Sequence, residues 1–121
     1  MVVVAHGSRA DAANDAHRAT VEALSALVPT PVTAAFLELA EPDIASAIRQ
    51  AAAAGATDIV VLPFFLYPGR HVAEDIPAIV RAAGAELPGV VVRLLESFGA
   101  DPVVLATLAA QVRGGLRPPS A

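Results

Sequence analysis

The sequence contains no cysteine, no lysine and no tryptophan. Without cysteine there are no disulfides, no thiolate nucleophile, no iron–sulfur cluster and no cysteine-based zinc site. Without lysine there is no Schiff-base amine, no phosphate-loop lysine and no lysine general base, because all 8 basic residues are arginine. Long hydrophobic runs are also missing. The longest, Ile59 to Pro68, falls well short of the roughly 20 residues a membrane span needs. No basic stretch precedes an apolar one at the start, where Met1 leads directly into Val2-Val3-Val4, so no export signal is expected. A formal net charge of −4 argues against nucleic acid as partner. What remains is 121 residues with 55% hydrophobic and 17% charged side chains. That composition suits one packed domain and excludes wholesale disorder. A cytoplasmic protein with no membrane partner is the expectation.

Short apolar runs alternate with longer, alanine-rich amphipathic stretches. Val2 to Ala5, Val32 to Leu37, Asp58 to Phe65 and Val90 to Leu95 read as strands. The third contains Ile59-Val60-Val61-Leu62, a continuous run of the kind found in parallel strands buried on both faces. Asp11 to Val28 carries apolar residues at helical spacing. A second helix is expected from Pro42, as a first helical position, to Ala54, with Gly55 as its stop. A third should run from about Glu74 to Glu86, with Pro77 in its first turn and Leu66 to His71 as the preceding loop. Asp101-Pro102 caps a fourth that ends at Gly114-Gly115. The order βαβαβαβα predicts an α/β fold: a four-stranded parallel sheet with right-handed crossovers and flanking helices. Residues 1–115 form a single module, and 116–121 a loose C-terminal tail. So small a sheet would leave an edge or a face lightly covered, which favours self-association.

In an open parallel sheet, ligands bind beyond the carboxyl ends of the strands. Those ends carry His6-Gly7-Ser8-Arg9, Glu38-Leu39-Ala40-Glu41, Tyr67-Pro68-Gly69-Arg70-His71 and Glu96-Ser97. His6, Glu38 and His71 stand 32 and 33 positions apart (38 less 6, 71 less 38), one βα repeat each. Equivalent positions on consecutive repeats face a common crevice. Two imidazoles and a carboxylate suit Fe2+, Co2+, Ni2+ or Zn2+ better than Mg2+ or Ca2+. Three protein ligands leave coordination positions open for reaction. The same groups serve as bases near neutral pH. Arg9 and Arg70, beside the histidines, are bidentate anion binders.

Blander readings hold elsewhere. Glu41 reads as an N-cap or first-turn carboxylate of the second helix. Glu74 and Asp75 begin the third helix. His17, between Ala16 and Arg18, is expected on a solvated helix face. One of Phe64 and Phe65 must face the core. Gly7 and Gly69 permit close backbone approach to a ligand.

Three segments together, Val3-Val4-Ala5-His6-Gly7-Ser8-Arg9, Phe36-Leu37-Glu38-Leu39-Ala40-Glu41-Pro42 and Pro63-Phe64-Phe65-Leu66-Tyr67-Pro68-Gly69-Arg70-His71-Val72 with Glu74-Asp75-Ile76-Pro77 following, resemble the sirohydrochlorin chelatase family. The resemblance spans about residues 2 to 110. It implies a chelatase-like half-module with flavodoxin-like layering, and a class II chelatase, a lyase that needs no ATP or other nucleotide. Such enzymes insert Co2+ or Fe2+, and in some members Ni2+, into an anionic sirohydrochlorin-type tetrapyrrole, in siroheme or cobalamin biosynthesis. Larger relatives hold two modules face to face, and short ones form homodimers. By the same resemblance His6, Glu38 and His71 are the metal-binding and catalytic residues. Arg9, Arg70 and Ser8 are expected to hold the substrate. Ala10-Asp11 replaces the acidic-proline pair that often follows the first motif, without touching this ligand set. Two other chemistries fit the bare pattern. One is a non-catalytic carrier of metal or tetrapyrrole. The other is a phosphohistidine phosphotransferase, although Ala5 stands where an arginine would precede its histidine.

Overall fold

A computed structural model describes residues 1–116, with His71 described by its backbone alone. All four apolar runs are strands: β1 (Val2–Ala5), β2 (Thr33–Phe36), β3 (Asp58–Pro63) and β4 (Val91–Leu94). Between and after them lie α1 (Asp11–Ser25), α2 (Ile44–Ala53), α3 (Arg70–Ala85) and α4 (Pro102–Gly115), with a 3-10 turn at Phe98–Ala100 before the last helix. The sheet is parallel throughout, in the order β2-β1-β3-β4. The most apolar strands therefore take the two central positions, where both faces can be covered. The four-stranded α/β architecture expected from the sequence is the one observed. No helix among the described residues is long and apolar enough to cross a membrane.

Alternation along the strands divides the core into two layers. Val2, Val4, Ala35, Ile59 and Val61 point to one face and meet Ile44, Ala47 and Ile48 of α2 and Val72, Ile76, Val80 and Ala83 of α3. Val3 and Phe36 point to the other face, under the buried side of α1, which presents Asn14, His17 and Val21 at helical spacing. The β3–β4 half of this second face is less well covered by the described residues, with Val60 and Leu62 half-buried. Val91 is exposed, and Asp58 and Arg93 form an exposed pair across it, with both guanidinium bonds at 3.1 Å. α4 buries none of its side chains.

Three local expectations need correction. Pro42 does not open α2: the Glu41–Pro42 peptide is cis, and Asp43 is the N-cap, its carboxylate accepting the Ser46 N–H at 2.7 Å. An N-cap acceptor satisfies an orphan helix donor, which a proline at N1 does not do. Glu41 is accordingly not the cap. Next, α3 begins at Arg70 rather than at Glu74, with Gly69 as N-cap and Pro77 inside the helix. Arg70 and His71 thus belong to its first turn. Proline at position 77 removes one helical donor without ending the helix, because the face of Val72, Ile76, Val80 and Ala83 is held by burial. Finally, His17 is buried rather than solvated. Its Nε2 bonds the Val3 carbonyl at 3.0 Å, and its ring lies 5.3 Å from Phe36 and 5.7 Å from Phe64. Of the expected loose tail, residues 117–121 lie outside the described residues.

Candidate metal centre

The site begins where β1 and β2 end. Their pairing continues past the strands: Leu37 N–H donates to the Ala5 carbonyl at 2.9 Å, and Glu38 N–H to the His6 carbonyl at 3.0 Å. Residues 6 and 38 are therefore fixed side by side by backbone bonds. The chain then turns at Gly7, with φ of +93°. A Cβ there would run into the Glu38 carbonyl oxygen. Glycine is needed on two counts, the left-handed backbone and the close approach of the two chains. Leu39, directly after Glu38, also has a positive φ of 66°, a local strain that turns β2 away from the sheet.

On this frame His6 Nε2 and Glu38 Oε1 stand 2.9 Å apart. Both side chains are about half exposed, at 53% and 56%. A first-row divalent ion about 2.1 Å from each of two ligands at a right angle would hold them about 3.0 Å apart. The spacing observed thus suits either a shared proton or a shared cation. Ion binding would displace any proton from between Nε2 and the carboxylate.

His6, Leu37 and Glu38 form one wall of a crevice of about 560 Å3. Val72, Asp75 and Ile79 of α3 form the opposite wall. The third expected ligand, His71, lies by its backbone in the first turn of this same helix. Among the described residues no three histidine or acidic groups stand together as a metal cage, so the structure brings together two members of the expected set. Arg70 extends into solvent with 94% of its side chain exposed, its Nε 3.6 Å from Glu74 Oε1. Arg9 is also exposed. Ser8 is used locally: its Oγ accepts the Ala10 N–H at 3.0 Å. Phe65 packs against the core, whereas Phe64 stacks on Phe98 with centroids 5.4 Å apart.

Two residues that support the site escape a reading by composition. Buried Asn14 clamps the β1–α1 loop, accepting the Ser8 N–H at 2.9 Å and donating to the Ser8 carbonyl at 2.8 Å. Arg18 donates to the Glu41 carbonyl at 3.1 Å while its guanidinium lies 4.9 Å from the Phe36 ring centroid. It ties α1 to the loop that follows Glu38. Asn14, His17 and Val21 follow a helical 3–4 spacing that marks a core face. The polar identity of the first two hides it.

The described features match known proteins. A family model, CbiX, matches residues 1–114. The chloroplastic sirohydrochlorin ferrochelatase of Arabidopsis thaliana is 34% identical over 106 residues, covering 87% of this chain and 47% of that protein. The sirohydrochlorin cobaltochelatase of Methanopyrus kandleri is 36% identical over 85 residues, 66% of this chain and 57% of that protein. This chain thus spans about half the length of these curated relatives. Among solved structures, a CbiX protein from Marinobacter aquaeolei VT8 superposes with a TM-score of 0.83 at 30% identity, covering 95% of this chain and 94% of that one. SirB from Bacillus subtilis with Fe3+ gives 0.87 at 29% identity, covering 97% and 47%. The sirohydrochlorin chelatase SirB from Bacillus subtilis subspecies spizizenii in complex with cobalt gives 0.84 at 30%, covering 93% and 49%.

Proposed function

The chain belongs to the CbiX family of sirohydrochlorin chelatases, and from that premise we propose that it inserts a divalent metal into a sirohydrochlorin-type tetrapyrrole without a nucleotide. The 2.9 Å pair of His6 Nε2 and Glu38 Oε1 at a half-open crevice carries the reading. In this account His6 and Glu38 take the incoming ion as substrate, with His71 of α3 as third ligand. Co2+ and Fe2+ are the proposed substrates, and Ni2+ suits the same nitrogen and oxygen donors. As the ion passes into the ring, two pyrrole N–H protons must leave. Carboxylate and imidazole, freed of the metal, accept them at the crevice mouth, where solvent exposure lets them discharge. Arg9 and Arg70 meet the carboxylates of the substrate, and Ser8 shapes the β1–α1 loop that carries Arg9.

The proposal extends to assembly. Residues 1–115 act as one module, and two copies form a homodimer in the cytoplasm. Support comes from α4, which leaves Val103, Leu105, Leu108 and Val112 exposed, and from exposed Val91 on the second face of β4. The match to about half of a SirB chain points the same way.

Anaerobic cobalt insertion into sirohydrochlorin, followed by absorbance, tests the chemistry. His6→Ala and Glu38→Ala should each lower the rate above background by about 100-fold or more. The fold should remain, since an exposed pair contributes only about 0–1 kcal/mol. Both variants turning over at the wild-type rate would remove the proposed roles. One equivalent of metal bound with no turnover by the wild type would make the chain a carrier.

A further inference from the structure

Each member of the His6–Glu38 pair is followed at once by a residue in the left-handed backbone region: Gly7 after His6, with φ of +93°, and Leu39 after Glu38, with φ of 66°. A residue other than glycine keeps such a φ only where its surroundings over-determine it. Among the described residues, the last backbone bond between the two chains runs from the Glu38 N–H to the His6 carbonyl. What lies beyond must be held from elsewhere, and one helix supplies both anchors. Buried Asn14 of α1 accepts the Ser8 N–H at 2.9 Å and donates to the Ser8 carbonyl at 2.8 Å. Arg18, one turn further along the same face, donates to the Glu41 carbonyl at 3.1 Å. Asp15 accepts from that guanidinium at 3.0 Å, and the Phe36 ring lies 4.9 Å from it. Phe36 in turn donates its N–H to the Pro42 carbonyl at 3.0 Å, which closes the loop carrying Glu38. His17, between the two anchors, ties the helix to β1 through the Val3 carbonyl at 3.0 Å.

We infer that α1 is a brace for the metal-holding pair, with Asn14 and Arg18 as positioning residues that together fix the opening between His6 and Glu38. The inference rests on the reading of His6 and Glu38 as metal ligands. Neither Asn14 nor Arg18 is a ligand. Each holds the chain just beyond one: Ser8 is two residues past His6, and Glu41 three past Glu38. Both loops hang from one helix turn, so the separation of the ligands follows a rigid element rather than the torsions of two surface loops. The ligand side chains are about half exposed and have little packing of their own to orient them. Groups that orient metal ligands from behind are worth about 10- to 100-fold in metal affinity. Freeing either end of the brace releases the opening, so freeing the second end adds little. The two anchors therefore act as one coupled unit.

The test is a double-mutant cycle on the full chain, read by calorimetry with Co2+ alone and by circular dichroism for the fold. Asn14→Ala removes one anchor. Arg18→Met removes the other while keeping an aliphatic stem over Phe36, and its half-exposed position answers the question should Asn14→Ala fail to fold. Each single variant should bind Co2+ about ten-fold more weakly. The double variant should be no more than about three-fold weaker than the worse single one. Arg18→Lys, which restores a donor, should recover most of the lost affinity. Wild-type Co2+ affinity in folded Arg18→Met would overturn the inference. So would losses that multiply in the double variant, since the two residues would then serve their own loops separately. A wild type that binds no Co2+ would defeat the metal reading of His6 and Glu38, and the brace with it. A wild type that binds Co2+ without inserting it would defeat only the chelatase reading, and the affinities would still decide the brace.

Discussion

α2 and α4 follow the same kind of strand end and are both rich in apolar residues, yet they fare differently. α2 buries Ile44, Ala47 and Ile48 against the sheet and α3. α4 carries more large apolar side chains and buries none. The difference lies in the available partner. In α2 the apolar positions 44, 47 and 48 fall on one stripe that matches the sheet face. In α4 Leu105, Leu108 and Val112 also share one stripe, with Val103 off it, yet all four stay exposed. One half of the molecule, around β1, β2 and α2, is therefore complete within one chain and carries the His6–Glu38 pair. The other half has apolar surface that a single copy leaves uncovered.

Substitutions in the two halves should separate accordingly. Ile48→Ala in α2 opens a cavity in the closed half and should destabilise by about 2–5 kcal/mol in urea unfolding. Gly7→Ala should cost about 1–3 kcal/mol from the positive φ alone. It should also part His6 from Glu38 and weaken Co2+ binding in calorimetry, which no substitution on α4 should do. Asp43→Ala removes the α2 cap and should cost about 1 kcal/mol. The Asp43 carboxyl is held below its ordinary value near 3.8, first by the Ser46 backbone N–H, then by the Ser46 hydroxyl and more weakly by Arg49. A folded value below the unfolded one adds stability that is present above about pH 4 and is lost as pH falls through the folded value. The gap between wild type and Asp43→Asn in thermal melts should therefore close under acid. Leu105→Glu on α4 should change unfolding by no more than about 0.5 kcal/mol where the chain is monomeric. Under conditions where the wild type scatters as a dimer, the variant should scatter at 12.3 kDa. An undiminished dimer mass would move the interface off α4.

The halves also differed in how far the sequence disclosed them. The parallel sheet followed from the alternation of strand and helix along the chain, and β1 and β3 were legible because valine and isoleucine run without polar breaks; the order β2-β1-β3-β4 within the sheet did not follow from the sequence. The pairing of His6 with Glu38 followed from equal spacing along βα repeats. Boundaries failed where a local signal competed with a tertiary one. Pro42 and Pro77 look like helix starts, but Asp43 caps α2, and the buried stripe of Val72 and Ile76 carries α3 back to Arg70. His17 and Asn14 were illegible for another reason. Each is polar, and only the fold supplies the Val3 and Ser8 carbonyls that make their burial favourable. That α4 would lack a partner also lay beyond composition, since apolar content alone does not say whether the covering surface belongs to the same chain.

The most direct check of the central claim is anomalous diffraction from crystals soaked in cobalt. The account predicts a peak about 2.1 Å from both His6 Nε2 and a Glu38 carboxylate oxygen, with the direct bond between them replaced. A cobalt peak elsewhere, with His6 and Glu38 still bonded to each other at 2.9 Å, would contradict it.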